Sequence, residues 1–465
     1  MFNQVPDMSN PTRTSSRPLQ QQWSTRISFI LAAAGAAVGL GNIWKFPYVA
    51  GENGGGAFVL VYLVCIALLG VPMLMAEVLI GRRGQQNPVN SMARLAEEAG
   101  ARPVWKNVGR LGVLTGFLLL SFYVVVAGWA LAYIPLTASG SFAGVEPARI
   151  GQMFDGHLQQ PLSLVGWSTL VLIMTLGIVG RGVRKGLEKA ANLLMPMLFV
   201  FLLILVGYAT TTGHFDTALA FMFEPNFDQL TASGVLIALG HAFFTLSIGG
   251  GAMMIYGSYL SPGVSIARTS ILVAVLDTAA ALLAGLAIFP IVFAYGLEPG
   301  GGPGLIFVTL PIAFGQMPLG TLFGTLFFIM LSVAALTSAF SLIEPAIAWL
   351  IEKRGMSRFK ASVLSGSGIW LLSLGTVFSF NIGADWTLAG KTFFESLDYL
   401  VSGWMLPLGG LLMALFTAWV MKPDATAQEL GGDSAGYRLW RVLIRYLVPT
   451  VIMIIFLQAI GIISL

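Results

Sequence analysis

The residues that could do chemistry in this chain sit in two glycine-rich interruptions, Gly35-Ala-Ala-Val-Gly-Leu-Gly-Asn42 and Thr245-Leu-Ser-Ile-Gly-Gly-Gly251. Each lies inside an apolar run of membrane-crossing length. A helix broken there leaves N–H and C=O groups that hydrocarbon cannot satisfy, so the break survives only within protein or beside a watery cavity. The N-terminal end of a half-helix presents free donors and partial positive charge to a carboxylate, while unwound carbonyls suit a hard cation such as Na⁺. One site can thus hold a zwitterion together with cations. Paired glycine-interrupted helices in two halves of a chain are the pattern of a secondary transporter's binding site.

Other polar residues stand in apolar runs near these breaks. The phenol of Tyr123 could donate to a bound carboxylate, or serve only a structural hydrogen bond. Glu77 is ionisable and well inside a span, which makes it a functional candidate; exposure at a helix end near Arg82 is the bland alternative. His241, one turn before Thr245, reads either as a satisfied core imidazole or as part of the outer approach to the site. Cys65 is the single cysteine, lies in the apolar run Phe58–Leu69, and reads as a small buried hydrophobe.

The elements that must position these groups are membrane helices. Hydrophobic residues make up 56% and charged residues 10% of the 465 residues, where soluble domains carry about 25% charge. Apolar runs able to cross roughly 30 Å of hydrocarbon occur at about 26–48, 57–80, 108–136, 162–180, 190–211, 232–258, 268–294, 320–350, 361–380, 393–421 and 440–464. The reading is therefore an all-α integral membrane protein of eleven spans. Basic residues cluster in alternate loops (Arg82, Arg83, Arg94; Arg181, Arg184, Lys185; Lys353, Arg354, Arg358), which places those loops and the N-terminus in the cytoplasm and the C-terminus outside. The pI of about 9.2 follows from this topology and not from nucleic-acid binding. Residues 1–22 are polar, lack the apolar core of a signal peptide, and read as a cytoplasmic tail before a transporter domain at 23–465. The connecting loops are too short for a soluble domain.

The run Gly39-Leu-Gly-Asn-Ile-Trp-Lys-Phe-Pro-Tyr48 with Glu52-Asn-Gly-Gly-Gly-Ala-Phe58 resembles the first-helix signature of the neurotransmitter:sodium symporter family, and bacterial amino-acid carriers within it. The resemblance continues in family order at Arg181–Glu188, Phe243-Phe-Thr-Leu-Ser247, Phe307–Pro311 and Leu336-Thr-Ser338. It implies a five-plus-five inverted repeat, about 24–211 and 232–421, with helices 1 and 6 unwound at the midplane and an additional helix at about 440–464. It implies a bacterial cytoplasmic (inner) membrane location. It assigns two sodium ions: one to Ala37, Asn42, Thr245 and Asp277 with the substrate carboxylate, the other to carbonyls of Gly35, Val38 and Ala334 and hydroxyls of Thr337 and Ser338. Helix back-bonding is the bland account of Thr337 and Ser338. Around the substrate it places Ala37, Leu40, Gly41, Leu119, Tyr123, Phe243, Phe244, Thr245, Ser247, Gly250, Ser338, Ser341 and Leu342, with Phe244 as an aromatic lid; for Phe243, lipid or core packing is the default. Glu77 would cap free donors at the breaks. Gates would involve Lys45 with Asp398 outside, and Trp23 and Glu352 inside.

Three departures from the family pattern matter. Lys45 stands where many relatives have arginine, and it lacks the planar fork. The inner gating arginine maps onto Gln20, with Arg17 as a weak substitute. Asp277 and Ala281 occupy positions where chloride-dependent relatives carry asparagine and serine, so a fixed anion lies on the sodium ligand itself. A buried aspartate argues for a cation beside it, and external chloride becomes unnecessary. The functional expectation is a chloride-independent, sodium-coupled symporter importing amino acids by alternating access, with bulky hydrophobic or aromatic ones favoured because Gly250 leaves space. The alternative within the class is a carrier of another small amine or osmolyte; a sodium-gated channel is the competing class. No metal cluster, phosphate loop or Ser/His/Asp arrangement speaks for an enzyme. Ion stoichiometry and oligomeric state are not legible.

Overall fold

The computed structural model describes residues 22–299 and 304–462. Arg17 and Gln20, the candidates for an inner-gate cation, lie outside this range. Helices dominate, because in lipid every backbone group must be satisfied within its own segment; the isolated bridges Gly55↔Pro225 and Leu388↔Lys391 are the β pairings among the described residues.

Among the described residues, nine helices are long and apolar enough to cross a bilayer: Gly56–Gly84, Pro103–Ala138, Pro161–Val179, Val183–Thr212, Ile266–Ala294, Gly320–Arg354, Arg358–Phe378, Phe393–Val420 and Ala435–Ala459. A tenth is a bent pair, Arg26–Ala37 and Gly41–Glu52, turning by 52°. Ala232–Thr245 and Ala252–Ser258 flank the irregular segment Leu246–Gly251. Counting that broken pair as one, these segments follow the eleven apolar runs in order, and they are called the first to eleventh spans below. The two interrupted ones are the first and the sixth.

The loops are more structured than their length suggests. Pro88–Glu98, Pro147–Leu158, Phe215–Phe223 and Leu305–Gln316 are helices lying between spans. The first of these has the start signals expected of it, with proline in its first turn and Asn87 accepting from the amides of Val89 and Asn90.

The eighth span is the axis of the molecule, its apolar window 89% buried and packed against the third. Small residues bring other spans into backbone contact. A Cβ added at Gly81 would lie 1.9 Å from the Met254 carbonyl oxygen, and one at Gly257 2.5 Å from that of Val78. The second span therefore lies directly on the inner half of the sixth, as small-residue interfaces in membranes permit. This contact fixes where Glu77 points.

Candidate functional site

The first break is narrow. The helix runs through Gly35 to Ala37, Val38 turns to an extended ψ of 107° while donating to Ala34 O at 2.7 Å, and helical winding resumes at Leu40. The second is wider and more strained, since Ser247 has φ +55°, Gly249 +88° and Gly251 +73°. A left-handed serine is uncommon and costs on the order of 1–3 kcal/mol, so surrounding contacts must hold it. One such contact is its own hydroxyl, which donates to Ala36 O at 2.8 Å and ties the two breaks together.

Between the breaks the chain gathers a buried carboxylate cluster. Asp277, fully buried, accepts from Asn42 Nδ2 at 2.7 Å and from Thr245 Oγ1 at 3.0 and 3.1 Å. Asn42 Nδ2 also reaches Asp277 O at 3.0 Å, while its Oδ1 accepts from Gly39 N at 3.0 Å. No cation pairs with Asp277 among the described residues. Neutral donors offset only part of the cost of burying a carboxylate, which a bound cation would complete.

A second oxygen cluster lies where the first span meets the eighth. The Ser338 hydroxyl bridges to Gly35 O at 3.4 Å and Val38 O at 3.3 Å. Thr337 Oγ1 instead back-bonds to Ala334 O at 2.9 Å. The bland helix-bonding account thus describes Thr337 and not Ser338. All five positions are brought together.

A cavity of about 40 Å³ lies between the breaks, lined among others by Ala37, Gly41, Ser247, Gly250, Ser338 and Leu342; Leu40, Leu119, Tyr123, Phe244 and Thr245 also line it, as does Leu406 from the tenth span. The Tyr123 hydroxyl accepts from Leu40 N at 3.4 Å and lies beside the Ser338 hydroxyl. Ser341 and Phe243 are not among the lining residues: Ser341 is buried and bonds back to Ser338 O at 2.7 Å, and Phe243 lies half-buried against Gly410 of the tenth span. Ser341 shares a helix side with the lining Ser338 but turns its hydroxyl to the backbone, and the core-packing account of Phe243 describes its place better than a substrate contact.

Above Phe244 a larger cavity of about 230 Å³ opens between Trp44, Lys45, Tyr48, Phe122, Phe394 and Asp398. Lys45 and Asp398 face this space without touching. The Lys45 ammonium sits 4.7 Å from the centre of the Phe244 ring, and Asp398 accepts from Ser402 at 2.7 Å. A point charge on a flexible stem can take an aromatic face where a fork would take a carboxylate.

Glu77 is fully buried, which removes the helix-end alternative. Its Oε1 accepts from Gly249 N at 2.6 Å, satisfying a donor freed by the second break. Arg82 turns elsewhere, to the Glu429 carboxylate at 2.6 Å.

At the Arg82 end of the bundle Trp23 is buried, donates through Nε1 to Tyr256 O at 3.0 Å and meets the edges of Tyr256 and Tyr259. Glu352 accepts from Asn87 N at 2.9 Å, from the Asn87 side chain and from Asn90 Nδ2 at 2.8 Å. It anchors the helix Pro88–Glu98 to the eighth span. Residues not singled out in the sequence complete this layer: Glu188 accepts from Ser24 and, at 3.0 Å, from Ser28, and Glu344 joins Tyr259 at 2.7 Å to Arg358 at 2.5 Å.

Two further polar aromatics lie beside the carboxylate cluster: Tyr62, which the sequence did not single out, and His241, read there as a satisfied core imidazole or part of the outer approach. Tyr62 brings its hydroxyl next to Asp277 and Thr245 without meeting hydrogen-bond geometry. His241 packs between the rings of Phe46 and Tyr62 at 5.8 and 5.5 Å, a core imidazole with neither nitrogen satisfied. A polar aromatic with helical neighbours of apolar type gives no pattern that would reveal the place of Tyr62.

Known proteins are similar to this chain in sequence and fold. The model of the sodium:neurotransmitter symporter family matches residues 20–143 and 156–464. An uncharacterised sodium-dependent transporter of Bacillus subtilis is 41% identical over 447 residues, covering 95% of this chain and 98% of the relative. One from Haemophilus influenzae is 34% identical, covering 96% and 99%. The crystal structure of MhsT in complex with L-phenylalanine superposes with a TM-score of 0.87 at 44% identity, covering 95% of this chain and all of that one.

Proposed function

This chain belongs to the sodium:neurotransmitter symporter family, and we propose that, as a sodium-dependent symporter, it imports bulky hydrophobic or aromatic amino acids by alternating access without a chloride requirement. The observation that carries the substrate class is Gly250. Its neighbours Gly249 and Gly251 have left-handed φ and need to be glycine, whereas Gly250 has no such φ. A Cβ there would meet only Ser247 O at 3.8 Å and Leu406 Cδ2 at 4.0 Å. The missing side chain therefore leaves room at the cavity wall and is not demanded by the backbone. The similar MhsT, solved with L-phenylalanine, supports the same reading.

In this proposal the substrate carboxylate lies against the donors of the first break and Tyr123. The first sodium takes Ala37, Asn42, Thr245, Asp277 and that carboxylate; Asn42 rotates its amide to offer oxygen, exchanging the two ends of a group that can face either way. The second sodium takes the five oxygens of Gly35, Val38, Ala334, Thr337 and Ser338, all hard donors. Asp277 supplies the fixed negative charge that makes chloride dispensable, with Ala281 one turn away adding none. Phe244 closes the cavity from outside, with Lys45 and Asp398 above it; Trp23 and Glu352 close it from inside. The first, second, sixth and seventh spans move against the rest, within inverted repeats at about 24–211 and 232–421. Alternate basic loops place the Arg82 end of the bundle in the cytoplasm, in the inner membrane of a bacterium.

Competition at the purified protein tests the substrate class. Labelled phenylalanine bound in Na⁺ and not in K⁺ is challenged with unlabelled amino acids. Leucine, phenylalanine and tryptophan should displace it at far lower concentrations than glycine or alanine; a preference for glycine, alanine or a small amine overturns the proposal.

A further inference from the structure

The eleventh span, Ala435–Ala459, is the least enclosed of the nine long helices, with 17% of its apolar window buried against 28–89% in the others. Leu439, Val442, Tyr446 and Leu447 are exposed on it by 36–62%, a surface that faces lipid. On the same span stand Arg438, Arg441 and Arg445, spaced three and four apart and so on one side of the helix. Among the described residues none of the three belongs to an ion pair. Arg441 reaches only neutral oxygens, Thr426 Oγ1 at 3.3 Å and Tyr437 OH at 3.2 Å.

Arg445 is the unusual member. It lies ten residues into the span, about 15 Å along its axis, where an uncompensated guanidinium is expensive. Its Nε is buried without a partner. The guanidinium carbon is 4.1 Å from the centre of the Trp419 ring and 5.6 Å from that of Tyr446. Trp419 is itself held in place, its Nε1 donating to Arg445 O at 3.3 Å. A planar cation stacked on an aromatic keeps its edge free for a bidentate acceptor.

We infer that Arg445, bracketed by Trp419 and Tyr446 and flanked by Arg441 and Arg438, is a binding site for the phosphate of an anionic phospholipid. Three cations without a carboxylate select against a zwitterionic headgroup, whose own ammonium would meet them. The lipid-facing apolar residues beside the arginines provide a bed for acyl chains, which a free phosphate would leave unused. The short helix Pro423–Leu430 that precedes this span holds Glu429, bound to Arg82, so the site serves the leaflet at the Arg82 end. On the proposed orientation that leaflet is cytoplasmic, where anionic lipid is recognised by such basic clusters.

Native mass spectrometry of the full chain with palmitoyl-oleoyl phosphatidylglycerol, the matching phosphatidylcholine, or inorganic phosphate tests the inference. One phosphatidylglycerol should remain bound under activation that strips phosphatidylcholine. Arg445→Gln should lower its occupancy about fivefold, the loss expected for one surface cation, and Arg445→Lys should fall between. Trp419→Leu, which keeps the charge and removes the bracket, should also lower it and serves as the test if Arg445→Gln does not fold. Equal retention of phosphatidylcholine, displacement of the lipid by inorganic phosphate, or unchanged occupancy in a folded Arg445→Gln or Trp419→Leu protein overturns it.

Discussion

Substitution of Gly250, set against the same change at Gly249, separates pocket from backbone. At Gly250 an added methyl meets nothing closer than 3.8 Å, so Gly250→Ala should fold normally and take about one methylene's space from the ligand. At about 0.8 kcal/mol per buried methylene, tryptophan and phenylalanine should lose roughly fourfold in affinity, and alanine almost nothing. Gly250→Phe displaces a whole aromatic side chain, worth about 1.5–3 kcal/mol when buried, or roughly 10- to 150-fold. Preference should move towards small aliphatic substrates. Gly249→Ala behaves otherwise, because φ is +88° and the new Cβ would lie 2.5 Å from Leu406 O. It should lower stability and weaken every ligand alike. The assay is Na⁺-dependent competition binding across a panel from glycine to tryptophan, alongside thermal melting. If Gly250→Phe leaves the ranking as in wild type, or Gly249→Ala melts unchanged while altering the ranking, the pocket has been misread.

Asn42→Ala should weaken sodium and substrate binding together, by reciprocal linkage, as titrations of each at fixed levels of the other will show; independence of the two would remove Asn42 from the shared site. Uptake in sodium gluconate should match that in sodium chloride at equal ionic strength, and Asp277→Asn should impair it until Ala281→Glu returns a carboxylate nearby; a large drop in gluconate alone contradicts this. Glu77→Ala orphans the Gly249 amide and should cost about 1–3 kcal/mol of stability, whereas Glu77→Gln keeps an acceptor and should melt closer to wild type; equal melting of all three proteins would mean the contact is immaterial.

Hydropathy is a local sum, which is why spans and breaks could be read along the chain to within a few residues. The pairings inside the site are not local: Asn42 meets Asp277 across 235 positions, and Glu77 meets Gly249 across 172. Those assignments rested on family resemblance, not on spacing. Where the chain departs from the family pattern, resemblance also fails as a guide. Glu352 faces asparagines at a helix start, and Lys45 lies on Phe244 at a distance from Asp398, because an ammonium lacks the fork that would bind the acid in two places. Tyr62 escaped notice for a different reason, since an aromatic polar group inside an apolar helix looks like ordinary core.

The lysine resting on the Phe244 ring gives the lid an energy scale. A contact of this kind is worth about 0.5–2 kcal/mol, which for a simple two-state flap corresponds to an open fraction of roughly a third down to a few per cent. With Phe244 as the proposed lid, the partition between the 230 Å³ and 40 Å³ chambers would be a door that swings at rest. An arriving carboxylate competes with the ring for the same ammonium. On that proposal the incoming molecule would loosen the barrier in front of it, and admission would turn on charge exchange at one side chain before any helix moves.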